Sequence, residues 1–342
     1  MSYPADKPLA LTLGDPAGIG LDITLLAFDA RRREGLQPFV FLGDKQLLEA
    51  RAKALGLSVP IATVARPQEA VEVFANALPI LPIPVPVAVT PGVPEAAAMP
   101  AVTASIEAAV EMVQSGEARA VVTNPISKSC LYQAGFEFPG HTEYLAALAA
   151  QNGRAPHPVM MLASDVLKVV PTTIHIPLKD VPGALTQELL AKTIAITDRD
   201  LRRRFGLARP RLAVSGLNPH AGEDGALGRE EVETIRGAIV AAQEAGIDVS
   251  GPYPADTLFH TAARERYDVA ICMYHDQALI PFKTLAFEVG VNVTLGLPFV
   301  RTSPDHGTAF DIAGTGKANP RSLIEALRLA DTMSAAVAGD TG

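Results

Sequence analysis

With 342 residues, 29 basic and 37 acidic side chains and a formal net charge of -8, the chain is long enough for two lobes and carries no broad cationic surface of the kind that binds a nucleic-acid backbone. Its only cysteines, Cys130 and Cys272, form no C-x-x-C pair and are too few for a disulfide scaffold, so a reducing, cytoplasmic setting is expected. The opening MSYPADKPLALTLGD holds an apolar run too short for a signal-peptide core, and no uninterrupted apolar stretch elsewhere approaches the roughly 20 residues of a membrane span, so neither export nor insertion is expected.

Residues 9–13 (LALTL) read as a buried strand that breaks at Gly14-Asp15-Pro16, followed by a helix over 19–30. The unit repeats at 39–42, where FVFL ends in Gly-Asp before the helix-compatible KQLLEARAKAL. The proline-rich PILPIPVPVAVTPGVP at 79–94 predicts an edge strand or an extended connection, not a central strand, because proline offers a ladder no N–H. A helical run over 101–116 leads to the strand ARAVVT at 118–123, and Ser127 is placed to cap a short helix after Asn124-Pro125. Further strands are predicted at 158–163, 167–171, 211–217 and 268–274, and helices at roughly 185–204, 229–245, 257–265, 276–286 and 320–335. The charge-rich RRRE at 31–34 and RDLRRR at 199–204 read as solvated helix ends. Strands rich in Val, Ile and Leu alternating with helices predict an α/β fold with a mostly parallel sheet, and the loops after its strands are the expected places for polar chemistry.

Three of the histidines stand where an apolar segment gives way to a turn: His175 in VVPTTIHIPL, His220 in NPHAGEDGALG, and His275 directly after DVAICMY. They can converge on one divalent cation, since neutral imidazole is a good nitrogen ligand, or each can make isolated hydrogen bonds; the close-spaced zinc patterns are absent. Lys283 reads as an exposed helix charge or as a cation that faces a substrate and relays a hydroxyl proton. Asp256 reads as the N-cap of a helix beginning near Thr257, as an acidic orienter or proton acceptor, or as both.

Gly140-His141-Thr142-Glu143 precedes a helical segment, so its amides, with His141 and Thr142, suit an anion as well as they suit an ordinary cap. Asn292 and Arg301 bracket VTLGLPFV; Arg301 can grip a carboxylate or phosphate through paired donors, and surface roles fit equally. The loop GDPAGIG at 14–20 matches neither G-x-G-x-x-G nor G-x-x-x-x-G-K-[ST], which leaves tight chain reversal or a different binding loop. SPDHGTAFDIAGTGKANP at 303–320 gathers His306, Gly307, Thr308, Asp311 and Asn319 into a glycine-rich polar loop that suits a nucleotide or a flexible connection.

The ordered set LTLGDPAGIG, GHTEYLA, TTIHIPL, GLNPHAGEDGALGREE, GPYPADTLF, YHDQALIPFKTLAF and GVNVTLGLPFVRTSPDHGTA closely resembles the 4-hydroxythreonine-4-phosphate dehydrogenase family over almost the whole chain. The resemblance implies two α/β/α lobes of the isocitrate and isopropylmalate dehydrogenase type. One is formed by 1–128 and 303–342, the other by 129–302. It implies a homodimer with its active site at the subunit interface and the metal ligands shared between partners.

On the same ground His175, His220 and His275 match ligands of a divalent metal (zinc, magnesium or cobalt), one per subunit. His141, Thr142, Lys283, Asn292 and Arg301 match substrate-contacting positions, and Asp256 falls in the family's acidic active-site segment. The HGTAFDIAG segment resembles the adenosine-binding loop of isopropylmalate dehydrogenases, so His306, Gly307, Thr308, Asp311 and Asn319 are expected to hold NAD or NADP. The implied reaction oxidises a phosphorylated hydroxy-amino acid; the alternatives are a related dehydrogenase of phosphorylated threonate or erythronate, and a non-enzymatic binding homodimer. Two places depart from the family pattern: Gly20-Leu21-Asp22 replaces the common Gly-Pro-acidic form, and Ile174 stands where many members run directly from Thr to His.

Overall fold

Alternation of short buried strands with amphipathic helices builds the chain, and the first repeat shows how. Strand β1 (Leu9–Thr12) is buried along its whole length and leads through the glycine loop into α1 (Gly20–Glu34). Strand β2 (Phe39–Gly43) repeats the turn into α2 (Lys45–Ala54), whose first amides at Gln46 and Leu47 donate to the Asp44 carboxylate at 2.8 and 3.1 Å. There follow β3 (Ile61–Thr63), α3 (Glu69–Val73), β4 (Leu78–Pro82), α4 (Met99–Gln114), β5 (Val121–Val122), α5 (Lys128–Gln133) and α6 (His141–Leu148). Ser127 accepts from the Cys130 amide and caps α5 as predicted.

The second stretch comprises β6 (Val159–Ala163), β7 (Lys168–Pro171), α7 (Val181–Ala184), α8 (Gln187–Phe205), β8 (Leu212–Ser215), α9 (Arg236–Glu244), β9 (Val249–Tyr253), α10 (Thr261–Arg264), β10 (Val269–Cys272), α11 (His275–Ala286) and β11 (Val291–Leu295). The chain closes with β12 (Arg301–Pro304) and α12 (Arg321–Gly339). This computed structural model describes residues 7–138, 140–150 and 152–339, so residues 1–6 of the opening segment lie outside the described residues.

Two units result, Met1–Pro158 with Leu297–Gly342, and Val159–Gly296. The sequence placed the boundaries near 128 and 302; the observed division keeps α5, α6 and therefore His141 and Arg301 with the chain ends. In the first unit the strand order is β3-β4-β2-β1-β5-β12, parallel throughout. In the second the order is β11-β6-β7-β10-β8-β9, with β11/β6 and β6/β7 antiparallel and the rest parallel. The predicted α/β class with mostly parallel pairing is what the chain adopts.

Several local expectations are corrected. The proline-rich strand β4 lies between β2 and β3, and the short β3 is the edge. Pro79 is in register with Ala62 of β3 but precedes the ladder with β2, and Pro82 is in register with Gly43 of β2 but lies past the end of β3. Each proline thus falls outside one of the two ladders, which is how an interior strand tolerates it. Arg204, read as solvated, is buried beside Asp200, and burial lowers the guanidinium pKa. Asp200 earns its place by accepting the Gly296 amide at 2.7 Å. Residues 96–114 form one helical stretch long and apolar enough to span a membrane, yet half of it is buried, and Ala101, Val102, Ile106 and Ala109 sit in the core.

Candidate active site

The strongest grouping of chemistry lies at the ends of β7 and β10 in the second unit. His175 and His275 bring their rings to 5.6 Å between centroids, at a tilt of 44°. Both line a cavity of about 230 Å³ together with Thr173, Tyr274 and Asp276. His275 opens α11, and its Nδ1 lies 2.7 Å from Asp276 Oδ1. A carboxylate on Nδ1 holds the ring and leaves Nε2 as the nitrogen with a lone pair, the arrangement that suits a metal ligand.

His175 sits at φ 53° and His220 also at φ 53°, left-handed backbone that costs a side-chain-bearing residue on the order of 1–2 kcal/mol. The third imidazole does not join the pair: among the described residues no set of three or more His, Cys, Asp or Glu gathers as a metal site. The three imidazoles, which the sequence allowed to converge, therefore do not form one cluster among the described residues of a single chain. Two nitrogen donors on one cavity fit a partial divalent site and need outside ligands to complete it.

A separate set of basic groups occupies the first unit. Arg301, at the start of β12, is 3 % exposed, and its Nη2 donates to Thr123 Oγ1 at 2.6 Å. Burial alone pushes its pKa down to about 10. His141 begins α6 behind Gly140, with the half-buried Thr142 next to it, and neither is a side-chain cap. The His141 imidazole is held well below the usual 6.5 by burial first, then by the charges of Arg301 and Lys128. Its buried Nε2 has no hydrogen-bond partner among the described residues. Clustered cations around an unmet donor or acceptor have the chemistry to take an anion.

Lys128 was missed in the sequence. A Cβ built on Gly140 would lie 3.2 Å from Lys128 Nζ, so the ammonium reaches the helix start. The signal was present: Lys128 is the first residue of α5, where the helix dipole disfavours a cation. Lys128→Met should raise the His141 pKa toward 6.5, read by histidine NMR titration, because removing a nearby positive charge favours imidazolium. The folded-state pKa lies below the unfolded value, so the associated stability is present above about pH 6.5 and is lost as pH falls below it, with a smaller total loss in Lys128→Met. An unmoved His141 titration would remove Lys128 from the site.

The remaining predicted residues of the second unit divide. Asn292 lies in β11, opposite Leu162, and its Oδ1 is buried without a hydrogen-bond partner among the described residues, which leaves it able to accept one. Lys283 is half-buried on α11, with its ammonium 5.8 Å from the Phe287 ring centroid. Asp256 does not cap a helix: it lies exposed in a single 3₁₀ turn, Ala255–Thr257, and the next helix, α10, begins only at Thr261. The turn after Pro254 ends before an α-helix can nucleate, which leaves the acidic reading of Asp256 in place.

The two glycine-rich loops of the first unit, separate in sequence, pack together. Ile19 donates to the Thr308 carbonyl at 2.9 Å, and Gly18 approaches so closely that an added Cβ would meet that oxygen at 2.8 Å. Asp22, the acidic residue of the departing Gly-Leu-Asp form, is fully buried; it pairs with Arg51 and accepts the Gly314 amide at 2.7 Å. Arg51 also donates to the Gly18 and Pro16 carbonyls at 3.0 and 3.1 Å, tying both loops to α2.

Around this latch His306 Nδ1 lies 3.1 Å from the Gly307 carbonyl, Asp311 is exposed, and Asn319 Oδ1 accepts the Arg321 amide at the start of α12. An added Cβ at Gly307 or Gly316 meets nothing within 4 Å, so the outer backbone is open to a ligand. Asp15 was also missed: its Oδ2 is buried without a partner among the described residues, and burial raises its pKa against the lowering effect of the Ala17 amide. Asp22→Asn would strand the Arg51 charge, and an expected loss of about 3–5 kcal/mol should appear in thermal or urea unfolding. A melting point within a degree of the wild type would show that the pair does not hold the loops.

The chain is similar to known proteins over almost its whole length. Residues 34–330 match the family described as pyridoxal phosphate biosynthetic protein PdxA. The chain is 59 % identical over 335 residues to the 4-hydroxythreonine-4-phosphate dehydrogenase of Xanthobacter autotrophicus, covering 98 % of this chain and 95 % of that one. It is 60 % identical over 332 residues to the enzyme of the same name from Methylorubrum populi, with 96 % and 95 % covered. The crystal structure of 4-hydroxythreonine-4-phosphate dehydrogenase from Klebsiella pneumoniae superposes with a TM-score of 0.85 at 37 % identity, over 96 % of this chain and 99 % of that one.

Proposed function

The chain belongs to the PdxA family of pyridoxal phosphate biosynthetic proteins, and from that premise we propose that it is a 4-hydroxythreonine-4-phosphate dehydrogenase. The reaction oxidises the C3 hydroxyl of 4-phosphooxy-threonine with NAD or NADP to a keto acid, which loses carbon dioxide to give 3-amino-2-oxopropyl phosphate. The observation that carries this reading is the His175–His275 pair on one cavity, with Asp276 holding the second ring. These imidazoles, with His220, are proposed to hold one divalent cation per subunit, zinc, magnesium or cobalt. When bound, such a cation lowers the pKa of a substrate hydroxyl and stabilises the negative charge that builds as carbon dioxide departs.

The chain's own side chains supply the rest. Arg301, His141 and Thr142, with Lys128 beside them, take an anionic group of the substrate, and the low His141 pKa keeps that imidazole neutral at pH 7, free to accept or donate one hydrogen bond. The Asn292 amide oxygen accepts from the substrate's ammonium or hydroxyl. Lys283 is the proton relay for the hydroxyl, and Asp256 orients it or accepts a proton. His306, Gly307, Thr308, Asp311 and Asn319, on the loop latched by Asp22 and Arg51, hold the nicotinamide dinucleotide, which accepts the hydride. A cytoplasmic homodimer is proposed; exposed Ile176 and Leu178, both lining the imidazole cavity, support an apolar contact there.

The test is a panel of purified protein with each divalent cation, each nicotinamide cofactor, 4-phosphooxy-threonine and phosphorylated threonate and erythronate. Cation-dependent reduction of a cofactor with 4-phosphooxy-threonine in clear preference is the expected result. Preference for an acid lacking the amino group would move the assignment to the threonate or erythronate reaction, and no reduction with any member would reject the enzyme reading.

A further inference from the structure

We propose that Glu231 and Gln277, two buried residues outside the candidate ligand set, are positioning residues that hold the backbone segments carrying the imidazoles at 175, 220 and 275. The inference rests on the reading that these imidazoles hold a divalent cation. His220 stands in a run of five left-handed residues, His220, Ala221, Gly222, Glu223 and Asp224, with φ values of 53, 52, 77, 43 and 53°. Four of the five carry a Cβ, so the run is unfavourable by several kcal/mol unless something else holds it.

Glu231 is what the loop folds around. Its side chain is completely buried, and Oε1 accepts the Leu217 and Asn218 amides, both at 2.8 Å, while Oε2 accepts Asn218 Nδ2 at 3.0 Å. Glycines close the space: an added Cβ would meet Glu231 Oε2 at 2.4 Å from Gly222 and Oε1 at 3.0 Å from Gly216, and from Gly228 would meet Asn218 Nδ2 at 2.3 Å. Glu231 itself opens a single π-helical turn, Glu231–Ile235, of the kind that helices keep where a side chain must be aimed.

Gln277 joins this loop to the other two segments. Its Oε1 accepts the Met273 amide at 2.7 Å and Ser215 Oγ at 2.8 Å, and its Nε2 donates to the Gly216 carbonyl at 2.8 Å. The Met273 carbonyl in turn accepts Thr173 Oγ1 at 2.7 Å and the Thr173 amide at 3.1 Å. A continuous buried line of hydrogen bonds therefore runs from Thr173, two residues before His175, through Met273, two before His275, to the Gly216 carbonyl and, through the Leu217 amide of the same peptide, to the Glu231 carboxylate that anchors the start of the loop carrying His220. Every donor and acceptor on it is oriented, and shifting one segment breaks bonds in another.

The test uses the whole protein, stripped by a chelator and titrated with Co²⁺ in competition with a chromophoric chelator, alongside the melting temperature of the stripped form. Glu231→Gln turns an amide donor toward Asn218 Nδ2, and Gln277→Met removes all three bonds at nearly constant volume. Each should weaken Co²⁺ binding by about 10- to 100-fold and change the Co²⁺ absorption bands. Folded variants with wild-type Co²⁺ affinity and spectrum, whatever their melting temperature, would reduce both residues to scaffold and overturn the inference. If either fails to fold, Asn218→Ala and Ser215→Ala, which each remove one side-chain donor, decide by the same readout. His275→Ala and His220→Ala separate the two levels: Co²⁺ affinity unchanged in His275→Ala rejects the metal reading itself and unchanged in His220→Ala removes His220 from the ligand set, whereas affinity lost in both but kept in the positioning variants rejects only this inference.

Discussion

His275→Ala is expected to lower kcat by on the order of 10²- to 10³-fold at saturating substrate and to weaken divalent-cation binding in parallel. The effect is large because this ring is one of two that share a cavity, and because Asp276 already holds its Nδ1, so alanine removes a pre-oriented donor and not a mobile one. Asp276→Ala, which leaves the ring but frees it, should fall between wild type and His275→Ala, at about 10- to 100-fold in metal affinity. The KM for the nicotinamide cofactor should stay near wild type in both, since the latched loops belong to the other unit. Steady-state kinetics with a metal titration read all three quantities. A folded His275→Ala protein with normal turnover and unchanged metal affinity would remove His275 from the chemistry.

Arg301→Met should raise the substrate KM by on the order of 10²-fold, since hydrogen bonds to a charged group contribute about 1.5–3 kcal/mol each. It should do so without loss of stability in the substrate-free protein. Burial holds the guanidinium pKa at about 10, below its unfolded value of 12.5, so the charge is unfavourable to folding at neutral pH, and that cost fades only as pH rises from 10 toward 12.5. An apolar side chain of similar length removes the cost, and the melting temperature should hold or rise. Arg301→Lys should recover charge but not the paired donors, leaving KM well above wild type. An Arg301→Met protein with unchanged KM and substrate affinity would show that the buried cation serves the fold alone.

Much of the architecture was legible because the pattern is local. Strand β1 and the Gly-Asp that ends it, the repeat at β2, and Asp44 and Ser127 as caps all follow from residues within one turn of each other. The same holds for the imidazoles at strand ends, since a strand that stops at a polar turn must expose what comes next. Errors fell where a neighbour distant in sequence decides the outcome. Whether β4 is an edge depends on β3, a strand of only three residues; whether Arg204 is solvated depends on Asp200 and the chain that reaches it at Gly296. Asp256 was given a helix that the turn after Pro254 does not start.

By itself the amino-acid sequence determined the α/β class, much of the alternation of strands and helices, and through its ordered motifs the family, because hydrophobic period and turn chemistry are properties of short windows. The tertiary structure alone decided which polar residues work as sets. It put Lys128 beside His141, buried Arg301 against Thr123, closed the 14–20 loop onto Thr308 and Asp22 onto Gly314, and paired His175 with His275 while leaving His220 on a left-handed loop around Glu231. The reason is physical: a charge or imidazole acquires its protonation, orientation and partners from groups that parallel crossovers bring together, and those separations in sequence carry no local mark.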